Sequence, residues 1–242
     1  MMRTCFFIVS LLLSVFAKAE LTIEITQGIA TSIPISVVPF QTASMASPGA
    51  VIDEVVANDL ERSGHFSILA PKDMLSHPHT EDDLYFRDWR LLKQDYVVMG
   101  VITQLPEGLF QVRYQLFDVF NERELLTQTL KANEGQLRDV AHRISDAIYE
   151  QLTGIRGAFS TKIAYVTTNP ERTRFNLSIA DSDGAREKII LTSKYSIFSP
   201  SWAPDGKRIA YVMMEDAGSR VYVQDISTGK KQLISSNKGL NS

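Results

Sequence analysis

Apolar and polar positions along the chain fall into three successive patterns. The first is a continuous apolar run, Cys5–Phe16 (CFFIVSLLLSVF), preceded by Arg3 and followed by Ala17-Lys18-Ala19. A positive start, an apolar stretch of this length and an A-x-A site are the marks of a secretory signal peptide. A membrane-spanning helix needs about 20 apolar residues, so the reading is a leader, residues 1–19, cleaved after Ala19. No twin-arginine pair is present, which predicts export of an unfolded chain.

The second pattern mixes strand and helix periods and predicts an α/β amino-terminal domain over residues 20–154. Leu21, Ile23 and Ile25 alternate with Thr22, Glu24 and Thr26, as in a strand or an extended arm. Ser32–Phe40 (SIPISVVPF) suits a buried strand. Val51, Ile52, Val55, Val56 and Leu60 recur at helical spacing, with Pro48 and Gly49 before them and Gly64 placed to end the helix. A short strand over Phe66–Leu69, a short helix over Arg87–Lys93 and a strand over Asp95–Leu105 follow. Pro106-Glu107-Gly108 then turns the chain into Leu109–Phe117. There Phe110, Val112, Tyr114 and Leu116 alternate with Gln111, Arg113 and Gln115, predicting one buried and one wet face. Glu124–Ala132 reads as a further strand. Leu137, Val140, Ala141, Ile144, Ala147, Ile148 and Leu152 form one helical stripe that Gly154 ends. A hairpin and helices on a small mixed sheet suffice for one core.

The third pattern, from Lys162, is a repeat. Ile163-Ala164-Tyr165-Val166 returns as Ile209-Ala210-Tyr211-Val212, and Leu177–Asp181 returns as Val221–Asp225. A period of about 40–50 residues of strand-turn-strand is the signature of propeller blades. Ser199-Pro200-Ser201-Trp202-Ala203-Pro204-Asp205-Gly206 separates the copies as a strand end and a tight Asp-Gly turn. The first copy lacks the aromatic strand that Phe198–Arg208 supplies to the second. Residues 155–161 read as a linker and 162–242 as an incomplete all-β propeller.

Composition narrows the function classes. Hydrophobic residues make 44% and charged residues 22%, and 25 Lys+Arg against 28 Asp+Glu leave a net charge of −3. That balance excludes an acidic disordered tail and a strongly basic nucleic-acid binder. The single cysteine, Cys5, leaves with the leader and excludes a disulfide framework.

Candidate chemistry is sparse. His77-Pro78-His79 with Glu81, Asp82 and Asp83 groups metal-ligand residue types, yet Pro78 fixes an extended loop and a solvated loop is the favoured reading. His65 and His142 read as surface or satisfied histidines. Asp181-Ser182-Asp183-Gly184 is similar to the start of a calcium loop, but Leu191 and Thr192 stand where a bidentate Glu is needed, and a hairpin turn explains it. There is no G-x-S-x-G, no P-loop and no G-x-G-x-x-G motif. The expectation is a non-enzyme without catalytic residues, cofactor or metal.

The run Ser199-Pro200-Ser201-Trp202-Ala203-Pro204-Asp205-Gly206-Lys207 leading to Ile209-Ala210-Tyr211 resembles the blade motif of the TolB family and of prolyl-oligopeptidase propellers. Pro34–Phe40, Tyr114–Asp118 and the junction Leu152-Thr153-Gly154-Ile155-Arg156-Gly157-Ala158-Phe159 resemble TolB proteins specifically. The resemblance implies a periplasmic member of the Tol–Pal envelope system with an α/β domain and a six-bladed propeller. It implies roles in outer-membrane integrity, envelope constriction during division and, as a hijacked activity, colicin import. Its implied partners are the lipoprotein Pal, through the propeller, and TolA, through the amino-terminal segment. Here that segment is Glu20, Leu21, Thr22, Ile23, Glu24, Ile25 and Thr26; from pattern alone a simple edge strand is the larger reading. No nucleic acid and no direct membrane insertion are expected. Six blades need roughly 270 residues, whereas 242 − 161 = 81 follow Thr161, so a truncated propeller of about two blades is expected. The competing readings are a propeller fragment of an exported peptidase and a generic periplasmic adaptor.

Overall fold

The computed structural model describes residues 32–42 and 49–237, with side chains at 49–51 left aside. The leader and the arm Glu20–Thr26 lie outside the described residues, as do residues 238–242.

The first sheet is mixed, and its topology follows from the order of strand and helix signals. β1 (Ile33–Val37) is followed by the two-residue β2 (Gln41–Thr42), then α1 (Gly49–Arg62) and β3 (Phe66–Ile68). A short helix α2 (Phe86–Leu91) leads to β4 (Tyr96–Gln104), β5 (Leu109–Asp118), β6 (Arg123–Asn133) and α3 (Leu137–Thr153). The strand order is β3-β1-β4-β5-β6, with β2 pairing β4. β1 runs parallel to β3 and β4, whereas β4-β5 and β5-β6 are antiparallel hairpins. The β4–β5 turn places Glu107 and Gly108 at φ 63 and 72, a conformation that glycine adopts without strain.

Helices α1 and α3 cover one face. Ile52, Val55, Val56 and Leu60 of α1 meet Val140, Ala141, Ile144 and Ile148 of α3 over Ile35, Val112, Tyr114 and Leu116 of the sheet. The alternation in β5 holds from Phe110 to Leu116 and then changes. Val97, Met99, Phe117 and Val119 are buried on the opposite face under Trp89 and Leu84. Both faces of the sheet are therefore covered at this end, beyond the wetter stretch of Gln111, Arg113 and Gln115. Trp89 on the short α2 supplies the apolar area that makes the second cover possible.

From Lys162 the chain is all β. β7 (Lys162–Thr168), β8 (Phe175–Asp181) and β9 (Lys188–Ser193) form a three-stranded antiparallel sheet. β10 (Ser196–Trp202), β11 (Arg208–Glu215), β12 (Gly218–Asp225) and β13 (Lys231–Ser235) form a four-stranded one. The repeated segments β7/β11 and β8/β12 occupy equivalent positions. Among the described residues the first sheet has no counterpart of the strand that β10 provides to the second, and β7 stands at its edge. Leu177 from the first sheet packs with Ile197, Ile209, Tyr211 and Met213 from the second in one shared core. A single hydrogen-bonded relay reinforces that contact: Tyr211 Oη donates to Gln224 Oε1 at 3.0 Å, and Gln224 Nε2 donates to the Ile190 carbonyl at 2.9 Å. This is an α/β domain followed by an incomplete propeller.

Candidate functional site

The strongest concentration of charge lies where α1 and α3 meet the turn between β8 and β9. Asp59 is wholly buried in the stripe of α1, and a buried carboxylate needs partners. It has two: Arg62 Nη2 at 2.7 Å on one oxygen and His142 Nδ1 at 2.6 Å on the other. His142 is 2% exposed, and its Nε2 has no hydrogen-bond partner. That nitrogen lies 3.7 Å from Asp181 Oδ2 and 4.0 Å from Asp183 Oδ2.

The two turn carboxylates are clamped from several sides. Arg138 of α3 hydrogen-bonds Asp183, and its Nε lies 3.3 Å from Asp181. Arg186 Nε donates to Asp181 at 2.7 Å, and Lys162 donates to the other oxygen of the same carboxylate. Arg186 also reaches back to Asp139 of α3. Burial works against the charge on Asp181, but hydrogen bonds from Arg186 and Lys162 outweigh it and hold the carboxyl down at about 2. Asp183 is half-buried, and the Ala185 amide with Arg138 keeps it below the usual carboxylate range.

The connector completes the junction. Gly154 ends α3 at φ 72, and the chain folds back so that Asp146 Oδ1 accepts the Phe159 amide at 2.7 Å and Oδ2 the Ser160 amide at 3.2 Å. Ser182 Oγ donates to the Phe159 carbonyl at 2.7 Å, and the Phe159 ring packs edge-on against Tyr149. Residues 155–161 are thus a fastened strap.

Asp181-Ser182-Asp183-Gly184 does form the expected hairpin turn, with Gly184 at φ 84 donating to the Asp181 carbonyl at 2.9 Å. The turn alone does not account for it, because both carboxylates are drawn into the junction. His65 is exposed against Tyr149, as a surface histidine would be. His142 differs from the expectation of a satisfied histidine: only one of its nitrogens is bonded. His77 is exposed and Pro78 buried, and His77 Nε2 approaches the Pro71 carbonyl at 3.3 Å, so these residues form a loop. The one visible sequence signal for the junction was Asp59, an acid within an apolar helical stripe.

Among the described residues, Asp59, His142 and Asp183 are the one group spaced to share a cation. Their existing partners argue against that use. Asp59 is committed to Arg62 and His142, Asp183 to Arg138, and a dication would add two charges beside Arg138, Arg186 and Lys162. A cleft of about 480 Å³ beside α1 is lined by Val37, Pro39, Ile68 and Leu69 under Glu54 and Glu61, and brings together no nucleophile and base.

An α/β domain strapped to propeller sheets by a charge-balanced junction defines a scaffold of the propeller-bearing class. Family models sharpen this: residues 21–125 match the TolB amino-terminal domain and residues 149–242 the TolB beta propeller domain. The chain belongs to the TolB family. It is 44% identical over 236 residues to the Tol-Pal system protein TolB of Alcanivorax borkumensis, covering 97% of this chain and 54% of that protein. The corresponding protein of Hahella chejuensis is 40% identical over 245 residues, covering 100% of this chain and 57% of its own length. The crystal structure of TolB from Acinetobacter baumannii superposes with a TM-score of 0.77 at 40% identity, covering 87% of this chain and 51% of that one. The chain spans about half the length of the curated relatives it matches.

Proposed function

We propose that the chain serves as a non-catalytic periplasmic interaction protein of the Tol–Pal system, supporting outer-membrane integrity and envelope constriction during division. The observation that carries this reading is the match of both parts, α/β and propeller, to proteins named for that system. The two parts are fastened together, so an event at the propeller has a rigid route to the α/β sheet. In this reading the leader is removed after Ala19, residues 20–154 form the first domain, 155–161 the linker and 162–242 the propeller segment. The propeller side faces Pal, and Glu20, Leu21, Thr22, Ile23, Glu24, Ile25 and Thr26 form the arm presented to TolA. Alternating apolar and polar residues in that arm suit addition to a partner's sheet edge. No helix among the described residues is long and apolar enough to cross a membrane.

Deleting residues 20–26 and measuring capture of the TolA carboxy-terminal domain tests the arm. Lost capture with Pal binding retained supports the assignment, and unchanged TolA capture refutes it.

A further inference from the structure

Neither family membership nor the proposed partners explain why a buried histidine with one empty nitrogen sits at the centre of the junction. We propose that His142 is a proton-operated clasp: with both nitrogens protonated it ties Asp59 of α1 to Asp181 and Asp183 of the β8–β9 turn, and loss of the Nε2 proton loosens the first propeller sheet from the α/β domain.

The geometry carries the argument. The Asp59 carboxylate at 2.6 Å fixes a proton on Nδ1, because a carboxylate only accepts. In the neutral ring Nε2 then presents a lone pair toward two carboxylates at 3.7 and 4.0 Å, with no donor between. A buried acceptor facing acceptors is unfavourable. Adding one proton to Nε2 turns the same contact into a charge-assisted attraction to both acids. Closing the remaining gap takes a movement of about 1 Å to reach ordinary hydrogen-bond length.

Every packed element contributes charge around the ring. Helix α1 gives Asp59 and Arg62, α3 gives Arg138 and Asp139, β7 gives Lys162, and the turn gives Asp181, Asp183 and Arg186. With a neutral imidazole the four acids balance the four bases. His142 is the member of this set whose Nε2 can either accept or donate, so its protonation decides how the ring meets the two turn carboxylates. Asp181 and Asp183 are both held below the usual carboxylate range, so these acceptors are ready whenever the ring gains its proton. The clasp holds while Nε2 carries its proton and weakens when that proton is lost.

The test is hydrogen exchange on the full chain between pH 5.5 and 8.5, corrected for intrinsic exchange and run in EDTA. ¹⁵N spectra of the His142 ring are recorded in parallel. Protection of segments 155–161 and 181–187 should fall by about tenfold per pH unit at most, one proton being linked, in step with the loss of the Nε2 proton. The sheet amides of β4 and β5 should not follow. In His142→Gln the same segments should show pH-independent protection at the alkaline wild-type level. If that variant does not fold, the wild-type ring spectra decide alone. A ring that stays in the Nδ1–H form at pH 5.5, or titrates while both segments remain unchanged, overturns the clasp. So does protection that is higher in a parallel EDTA-free sample at the same pH, or that rises when zinc is supplied in excess of the EDTA, which would assign the site to a metal ion.

Discussion

Gly157 offers the most direct probe of how the strap is fastened. It lies outside the left-handed region of backbone space, so its smallness, not its φ, is what the fold uses. A Cβ placed there would stand 2.5 Å from Asp146 Cα and 2.5 Å from Asp146 Oδ1. Carbon atoms in contact prefer about 3.5–4.0 Å, so in Gly157→Ala the strap must retreat by about 1 Å from a helix backbone that cannot yield. The Phe159 and Ser160 amides now reach Asp146 at 2.7 and 3.2 Å, and that retreat takes both out of hydrogen-bond range. A bond to a charged acceptor contributes about 1.5–3 kcal/mol when buried. Asp146 is only half-buried, so the pair together is set at about 3 kcal/mol, near a hundredfold in local opening. Amide exchange at Phe159 and Ser160 should accelerate by that factor, while Val98 and Leu116 in the sheet keep their protection. Exchange at Phe159 within twofold of the parent would refute the reasoning.

Gly100→Ala should destabilise the α/β domain itself, since its Cβ would come within 2.4 Å of the buried Phe40 ring. Overpacking of this kind costs about 1–3 kcal/mol, and calorimetry should show a Tm several degrees lower, partly restored by adding Phe40→Leu. Gln224→Ala should leave the Tyr211 hydroxyl and the Ile190 carbonyl without their relay. Its cost of about 1–3 kcal/mol should appear in urea unfolding as lost stability of the two propeller sheets. Because Asp181 is held below its ordinary value in the folded chain, it stabilises the junction above about pH 4. That contribution should be lost as the pH falls toward about 2. Acid titration followed by exchange at 181–187 should show this limb, and Asp181→Asn should reduce it to the smaller part that Asp183 contributes.

Much of the fold could be read from the order of residues because it rests on local periodicity. The α3 stripe from Leu137 to Leu152, the β4–β5 hairpin and the repeated β7/β11 strands all declare themselves within a few residues. The second cover of the sheet did not, because Trp89 and Phe117 are remote in sequence and each looks like an ordinary apolar residue. The junction was less legible still. Asp59 and His142 are separated by 83 positions, and Arg138 and Asp183 by 45. Charge pairing at such distances leaves no spacing rule, and an Asp-x-Asp-Gly turn explains itself locally before its partners are known. The arm Glu20–Thr26 stays a proposal drawn from pattern and resemblance, since it lies outside the described residues.

Helix α3 serves two masters that arrive at different times. Its apolar face is claimed by α1 and the sheet, all of which precede it in the chain, whereas Arg138 and His142 must wait for Asp181 and Asp183. In a chain threaded amino-terminus first, the α/β domain therefore passes through a stage complete behind α3 and charge-mismatched in front of it. Docking of the first propeller sheet against α3 then comes after that apolar core is in place. Opposite charges guide that step, so salt screens it and slows it, while the apolar collapse before it is largely indifferent to salt.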